Sequence, residues 1–141
     1  MSLPQAFLLP LFLHFALTVY VGVRNILVRI RSVMSGETRL KDVALNSANW
    51  PPKVKKFGNN FDNQFDVPTV WYAVCALIAA TAKLDQAFVA MNWLFVASRY
   101  VHFWIHTGSN DVRNRMFAFI AGFGALVTMW IWFAIRLFVT G

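Results

Sequence analysis

Arg99-Tyr-Val-His102-Phe-Trp-Ile-His106 decides the fold of this chain, because it sets three ionisable side chains into an apolar run of membrane-spanning character. At about 100° per residue, positions 99, 102 and 106 fall within a sector of roughly 60° on a helix. Asn110 and Arg113 extend that sector if the helix continues. A polar stripe in hydrocarbon is expensive, so its default reading is a functional site turned toward other helices.

The rest of the composition supports a lipid solvent. Of 141 residues, 58% are hydrophobic and 13% charged, with six Trp and fourteen Phe. A soluble domain of this size cannot hide that much apolar surface. The net charge of +7 is clustered rather than spread, which sets membrane orientation and argues against a nucleic-acid partner. The single cysteine, Cys75, lies in an apolar run, so an intrachain disulfide is excluded and no metal-ligand cysteine spacing exists. The first segment turns apolar almost at once, with no basic leader, and is expected to be a retained span.

Four spans follow, at about 3–28, 59–82, 87–106 and 116–139, making one domain over 1–141. The expected fold is an all-α membrane protein, an up-down bundle of four transmembrane helices. The second apolar run, Val67 to Ala82, would cover only about 24 Å of a hydrocarbon core of roughly 30 Å. It is therefore expected to recruit Asn59 to Asp66 as its first turns. A competing reading makes Asp66 the N-cap of a helix starting at Val67 or Pro68. The loop at about 29–58 carries Arg29, Arg31, Arg39, Lys41, Lys53, Lys55 and Lys56, and the last loop carries Arg113 and Arg115. The opposite side has Lys83 and Arg136 alone. The positive-inside rule puts both basic loops in the cytoplasm and both termini outside. Pro51-Pro52 is read as excluding a regular helix from the long loop, and Trp50 as lying along the headgroups. The short turn at Lys83-Leu-Asp85 makes spans two and three antiparallel neighbours.

Helical spacing puts Asn59, Asp62, Asn63 and Asp66 on one face. That face, with Arg29, Arg31, His102, His106 and Arg115, converges on the cytoplasmic boundary. Cations and amides at one level suit a small polyanionic ligand, Arg supplying bidentate carboxylate recognition. An aromatic wall beside them could take a lipophilic small molecule.

Asn63-x-x-Asp66, Arg99-x-x-His102-x-x-x-His106 and Arg115 sixteen residues after Arg99 resemble the family of membrane-associated proteins in eicosanoid and glutathione metabolism (MAPEG), as does the Val28-Arg29-Ile30-Arg31 end of the first span. The resemblance covers essentially the whole chain. It is nearest to the small bacterial branch, where an Asn-Gln-Phe-acidic-x-Pro run precedes the second span. It implies a homotrimer of four-helix protomers in membrane lipid, in a bacterial inner membrane, with sites between subunits on the cytoplasmic side. It further implies glutathione as ligand, held by Arg29, Asn63, Asp66, Arg99, His102 and His106, with Arg115 stabilising the thiolate for transferase or peroxidase chemistry. A nearby guanidinium does favour a thiolate over a thiol.

The chain departs from the glutathione users at three places. Asp62 stands where Arg commonly precedes the Asn, His106 where Tyr is usual, and the acidic residue is the shorter Asp66. Two further readings stay open. The Arg-His-Asp set could be a polar lock between helices or subunits, or a cleft for a lipid headgroup or other anionic metabolite. His102 and His106 at i, i+4, with Asp66, could also share a metal ion, although Arg99 opposes a cation and no metal is expected. His14, on one face with Thr18, Val21 and Asn25, reads as a hydrogen-bonded residue of the helix bundle.

Overall fold

The structure, a computed structural model, describes residues 1–140. Helices make up 81% of it, with no strand among the described residues. In chain order they are α1 (Leu3–Met34), the short α2 (Leu40–Val43), a 3-10 turn at Ser47–Asn49, α3 (Pro52–Asp62), α4 (Val67–Ala80), α5 (Gln86–Thr107) and α6 (Val112–Phe138).

Local chemistry explains most of the boundaries. Ser2 and Gln5 form a reciprocal capping box at the start of α1. Asp85 caps α5 through Phe88 N at 3.1 Å, and Asp111 caps α6 through Asn114 N at 2.8 Å. Pro10 lies inside α1, and its missing N–H leaves the Ala6 carbonyl without a helical donor. The Trp93 indole supplies one from α5, at 3.1 Å.

Four expectations need correction. First, α1 runs on to Met34, carrying Arg29 and Arg31 within the helix instead of at its end. Second, Pro51-Pro52 does not exclude a helix from the long loop. Pro52 opens α3, because a proline in the first turn forgoes an N–H that would be unbonded anyway. Trp50 then lies under the Arg29 guanidinium, 5.3 Å from ring centre to Cζ. Third, α5 stops at Thr107, so Asn110 and Arg113 do not prolong its stripe.

Fourth, the second span is not one helix from Asn59. Asn59 to Asp62 end α3, residues 63–66 turn, and α4 starts at Val67, with Asp66 in the cap position but making no cap hydrogen bond. Pro68 sits in the first turn of α4, where its missing N–H would be unbonded anyway. The carbonyls freed by the break are then satisfied from side chains. Gln64 Nε2 donates to Asn60 O (3.1 Å), Arg99 to Asn63 O (2.8 Å), and Thr69 Oγ1 to Phe65 O. With 14 residues, α4 covers about 21 Å.

Two helices, α1 and α6, are long and apolar enough to cross a membrane. Their outer faces leave Phe12, Phe15, Ile26, Phe117, Ile120 and Ile131 exposed. Apolar surface on that scale is not left to water by a soluble monomer. Inside, Trp71, Ile78, Phe88, Phe95 and Met129 are fully buried, with Trp71 stacked on Phe95 at 4.6 Å. α5 and α6 approach closely at Gly122, where a Cβ would collide with the Ser98 hydroxyl.

Contacts fix which helix ends meet. Asp85, in the α4–α5 turn, takes the Trp132 indole at 2.9 Å and pairs with Arg136 at 3.5 Å. That end also holds the start of α1, through Trp93 and Ala6. At the other end Lys56 of α3 donates to Gly108 O in the α5–α6 turn at 3.0 Å, and Arg24 of α1 lies over Phe57 of α3 at 5.4 Å.

Candidate functional site

The α3–α4 break and the α5–α6 turn together shape the second of these ends. α5 delivers His102 and His106 one turn apart, both buried, with ring centres 5.5 Å apart and planes nearly perpendicular. The α5–α6 turn brings α6 back beside them. Asn110 adopts a left-handed conformation at φ 55°, which Asn tolerates better than most residues. Its side-chain oxygen accepts from Arg115 at 2.8 Å, committing one guanidinium nitrogen.

A cavity of about 390 Å³ opens there, lined by Asn59, Asn63, His102, His106 and Arg115, with Val112, Met116 and Phe119 as its apolar wall. Among the lining residues are a guanidinium, two imidazoles and two amides, and no carboxylate. The apolar members recur at i, i+4 and i+7 on α6, one face of its first two turns. The N-terminus of α6 lies at the same place, its dipole already capped by the Asp111 carboxylate. The arrangement attracts anions and carries an apolar shelf.

Four sequence-predicted residues, Asn63, His102, His106 and Arg115, therefore share one cavity. The other three lie outside it. Arg99 is buried behind the lining and holds the Asn63 carbonyl from α5. Arg29 lines a neighbouring pocket of about 260 Å³ with Ser47, Trp50, Lys55, Gly58, Asn59 and Asp62. Asn59 is common to both cavities. The Arg29 guanidinium packs over Gly58, where a Cβ would stand 3.4 Å from it. Asp66 lines neither cavity. The expected common face of Asn59, Asp62, Asn63 and Asp66 is thus divided by the break. No group of three or more His, Cys, Asp or Glu side chains able to share a metal ion occurs among the described residues.

Two residues not singled out from the sequence sit behind the histidines. Asn60 is fully buried and pairs through Nδ2 with His106 Nδ1 at 3.1 Å. Gln64, also buried, donates through Nε2 to both Asn60 O and Asn60 Oδ1, each at 3.1 Å. Asn60, in the last turn of α3, and Gln64, in the turn after it, are four apart and lie side by side. Several buried atoms around this cluster have no partner, among them His102 Nδ1, Arg99 Nε and Gln64 Oε1. Such groups are uncommon in folded interiors and mark places where a ligand or water completes the bonding.

No curated protein and no solved structure matched the chain. The profile of the MAPEG family, in contrast, matches residues 7–135, a span that holds both cavities, the α3–α4 break and every predicted site residue. That match, on a helical fold with an apolar exterior and two membrane-length helices, identifies the chain as a membrane protein belonging to the MAPEG family.

Proposed function

We propose that the protein is a glutathione transferase or peroxidase acting on lipophilic electrophiles, built as a homotrimer of protomers whose helices α1, α4, α5 and α6 all span the membrane. The observation that carries this reading is the carboxylate-free cleft in which Arg115, His102 and His106 converge beside an apolar shelf. Glutathione would bring the thiol that the protein itself does not offer, since Cys75 is buried away from the cleft. Arg115 favours the thiolate electrostatically. Val112, Met116 and Phe119 give an apolar electrophile a place to partition.

The neighbouring pocket suits the remainder of a tripeptide that bears two carboxylates and an ammonium. Arg29 and Lys55 are its cations and Asp62 its anion. The reading therefore assigns the ammonium to Asp62 and leaves Asp66 outside the binding residues. Asn59, on the wall between the pockets, connects the two halves of the site. On this reading, and by the positive-inside rule, the basic residues around the cleft face the cytoplasm and both chain termini lie outside.

Calorimetry with glutathione on the detergent-solubilised protein, paired with conjugation of a model electrophile, tests the reading. Binding that vanishes in Arg115→Leu, with activity lost in parallel, supports it. No heat at millimolar glutathione and no turnover would sink it. A non-catalytic polar lock is favoured at one residue only, Arg99, whose hydrogen bond goes to the backbone of the α3–α4 break.

A further inference from the structure

His106 has one ring nitrogen committed and one free. Nδ1 meets Asn60 Nδ2 at 3.1 Å, while the ring lines the cavity and Nε2 makes no hydrogen bond within the protein. Which nitrogen carries the proton follows from a chain of bonds with a fixed starting point.

That starting point is the Asn60 carbonyl, which can only accept. Gln64 therefore presents its NH2 group to it, and the same nitrogen lies 3.1 Å from the Asn60 side-chain amide. The Asn60 atom facing Gln64 must be the oxygen, so its NH2 faces His106. Reversing both amides would press Gln64 Oε1 against a carbonyl oxygen. With Asn60 donating, His106 Nδ1 must accept, and a neutral ring then holds its proton on Nε2.

The line of bonds does not extend beyond Gln64 to His14, since no hydrogen bond joins the two. Each has an orphan atom, His14 Nε2 and Gln64 Oε1. Tyr72 OH stands 3.0 Å from His14 Nδ1. Because Tyr72 OH donates to Leu11 O at 3.2 Å, His14 Nδ1 donates to the Tyr72 oxygen, and this pair stays apart from the Gln64–Asn60–His106 line. By contrast, His102 has a buried Nδ1 with no partner and nothing that selects its tautomer.

We infer that Gln64 and Asn60 are positioning residues that lock His106 as the Nε2–H tautomer, giving the cleft a fixed neutral donor beside Arg115 for a thiolate or carboxylate. The ligand class rests on the function proposed above; the tautomer does not. In this role His106 offers the same hydrogen-bond sense as the tyrosine hydroxyl usual at its position in glutathione users. It also makes the cleft selective against ammonium groups, which would need an acceptor there.

With three histidines in the chain, 15N-histidine labelling and long-range 15N–1H correlation on ligand-free protein read the tautomer directly. His106 is assigned by the signals lost in His106→Gln. The expected spectrum shows His106 with Nε2 protonated and Nδ1 bare. In Asn60→Asp the residue at 60 can only accept, and Nδ1 should become protonated. Should that variant not fold, Gln64→Met removes the donor that orients Asn60 and should leave His106 in both tautomers. An Nδ1–H or mixed His106 in the unaltered protein overturns the inference, and so does a tautomer indifferent to both substitutions. Glutathione calorimetry on the same samples separates the two claims: a locked tautomer without glutathione binding leaves the relay standing and removes the ligand.

Discussion

Asn92 and Asn60 are both fully buried asparagines in the same protein, and they end differently. Asn92 joins three helices and closes on itself. Its oxygen accepts from the Trp71 indole at 2.8 Å and the Cys75 thiol at 3.2 Å, and its nitrogen donates to Phe7 O at 2.9 Å. Asn60 is a link in a line, taking Gln64 on one side and passing to His106, whose far nitrogen looks into a cavity. Near Asn60 the unpartnered atoms accumulate, His102 Nδ1, Arg99 Nε and Gln64 Oε1. A polar cluster that satisfies itself is architecture, whereas one that leaves donors over at a cavity wall is built for something else.

The strongest way to break that contrast is Asn92→Leu. The substitution leaves the Trp71 N–H buried without an acceptor, a cost of about 2–3 kcal/mol. Denaturant-induced unfolding in detergent should show the loss, while anion binding at the cleft stays as it was. Binding that falls together with stability would mean the two ends are not separate units. Arg99→Met comes next, removing the only side-chain donor on the Asn63 carbonyl at roughly 1–2 kcal/mol. Because Arg99 braces a cleft residue from behind, this variant should lose stability and affinity together, unlike either neighbour in the series.

Arg115→Leu should do the reverse of Asn92→Leu. Its guanidinium has one internal partner, Asn110, so the unfolding midpoint should hold. Glutathione affinity should drop at least about tenfold, roughly 1.4 kcal/mol. Arg115→Lys retains charge without the planar fork and should fall between the two. A destabilised Arg115→Leu with intact binding would turn the cleft into architecture.

How much of this was legible in the sequence varies with the range of the interaction. The 99–102–106 stripe was visible because helix periodicity is local, and His102, His106 and Arg115 do meet in one cavity. The α3–α4 break was legible only as the competing reading that starts a helix at Val67, because the length needed to cross a bilayer argued for a continuous helix through Asn59 to Ala82. What permits the break is Arg99, 36 residues away from the carbonyl it binds, and no local pattern shows that contact. Asp66 was misplaced for the same reason: a continuous helix puts it on the face of Asn63, and the turn removes it. Asn60 and Gln64 were passed over because residues 59–66 are polar on both faces, so spacing alone did not say which face met the histidines.

The smallest effect belongs to Trp93, and it probes the closed end most finely. Pro10 leaves the Ala6 carbonyl without a helical donor, and the Trp93 indole fills the gap at 3.1 Å. Trp93→Phe keeps the aromatic body and removes the donor, so the loss should be about 0.6 kcal/mol, typical of a hydrogen bond between helices in a membrane. Pro10→Ala restores the N–H that bonds Ala6 within α1. In that background Trp93→Phe should cost close to nothing, and the double-mutant cycle should return most of the 0.6 kcal/mol as coupling. Additive losses would show that the indole contributes by packing alone. Coupling would show that the indole itself satisfies the carbonyl that Pro10 exposes, one residue along from the self-satisfied Asn92 cluster.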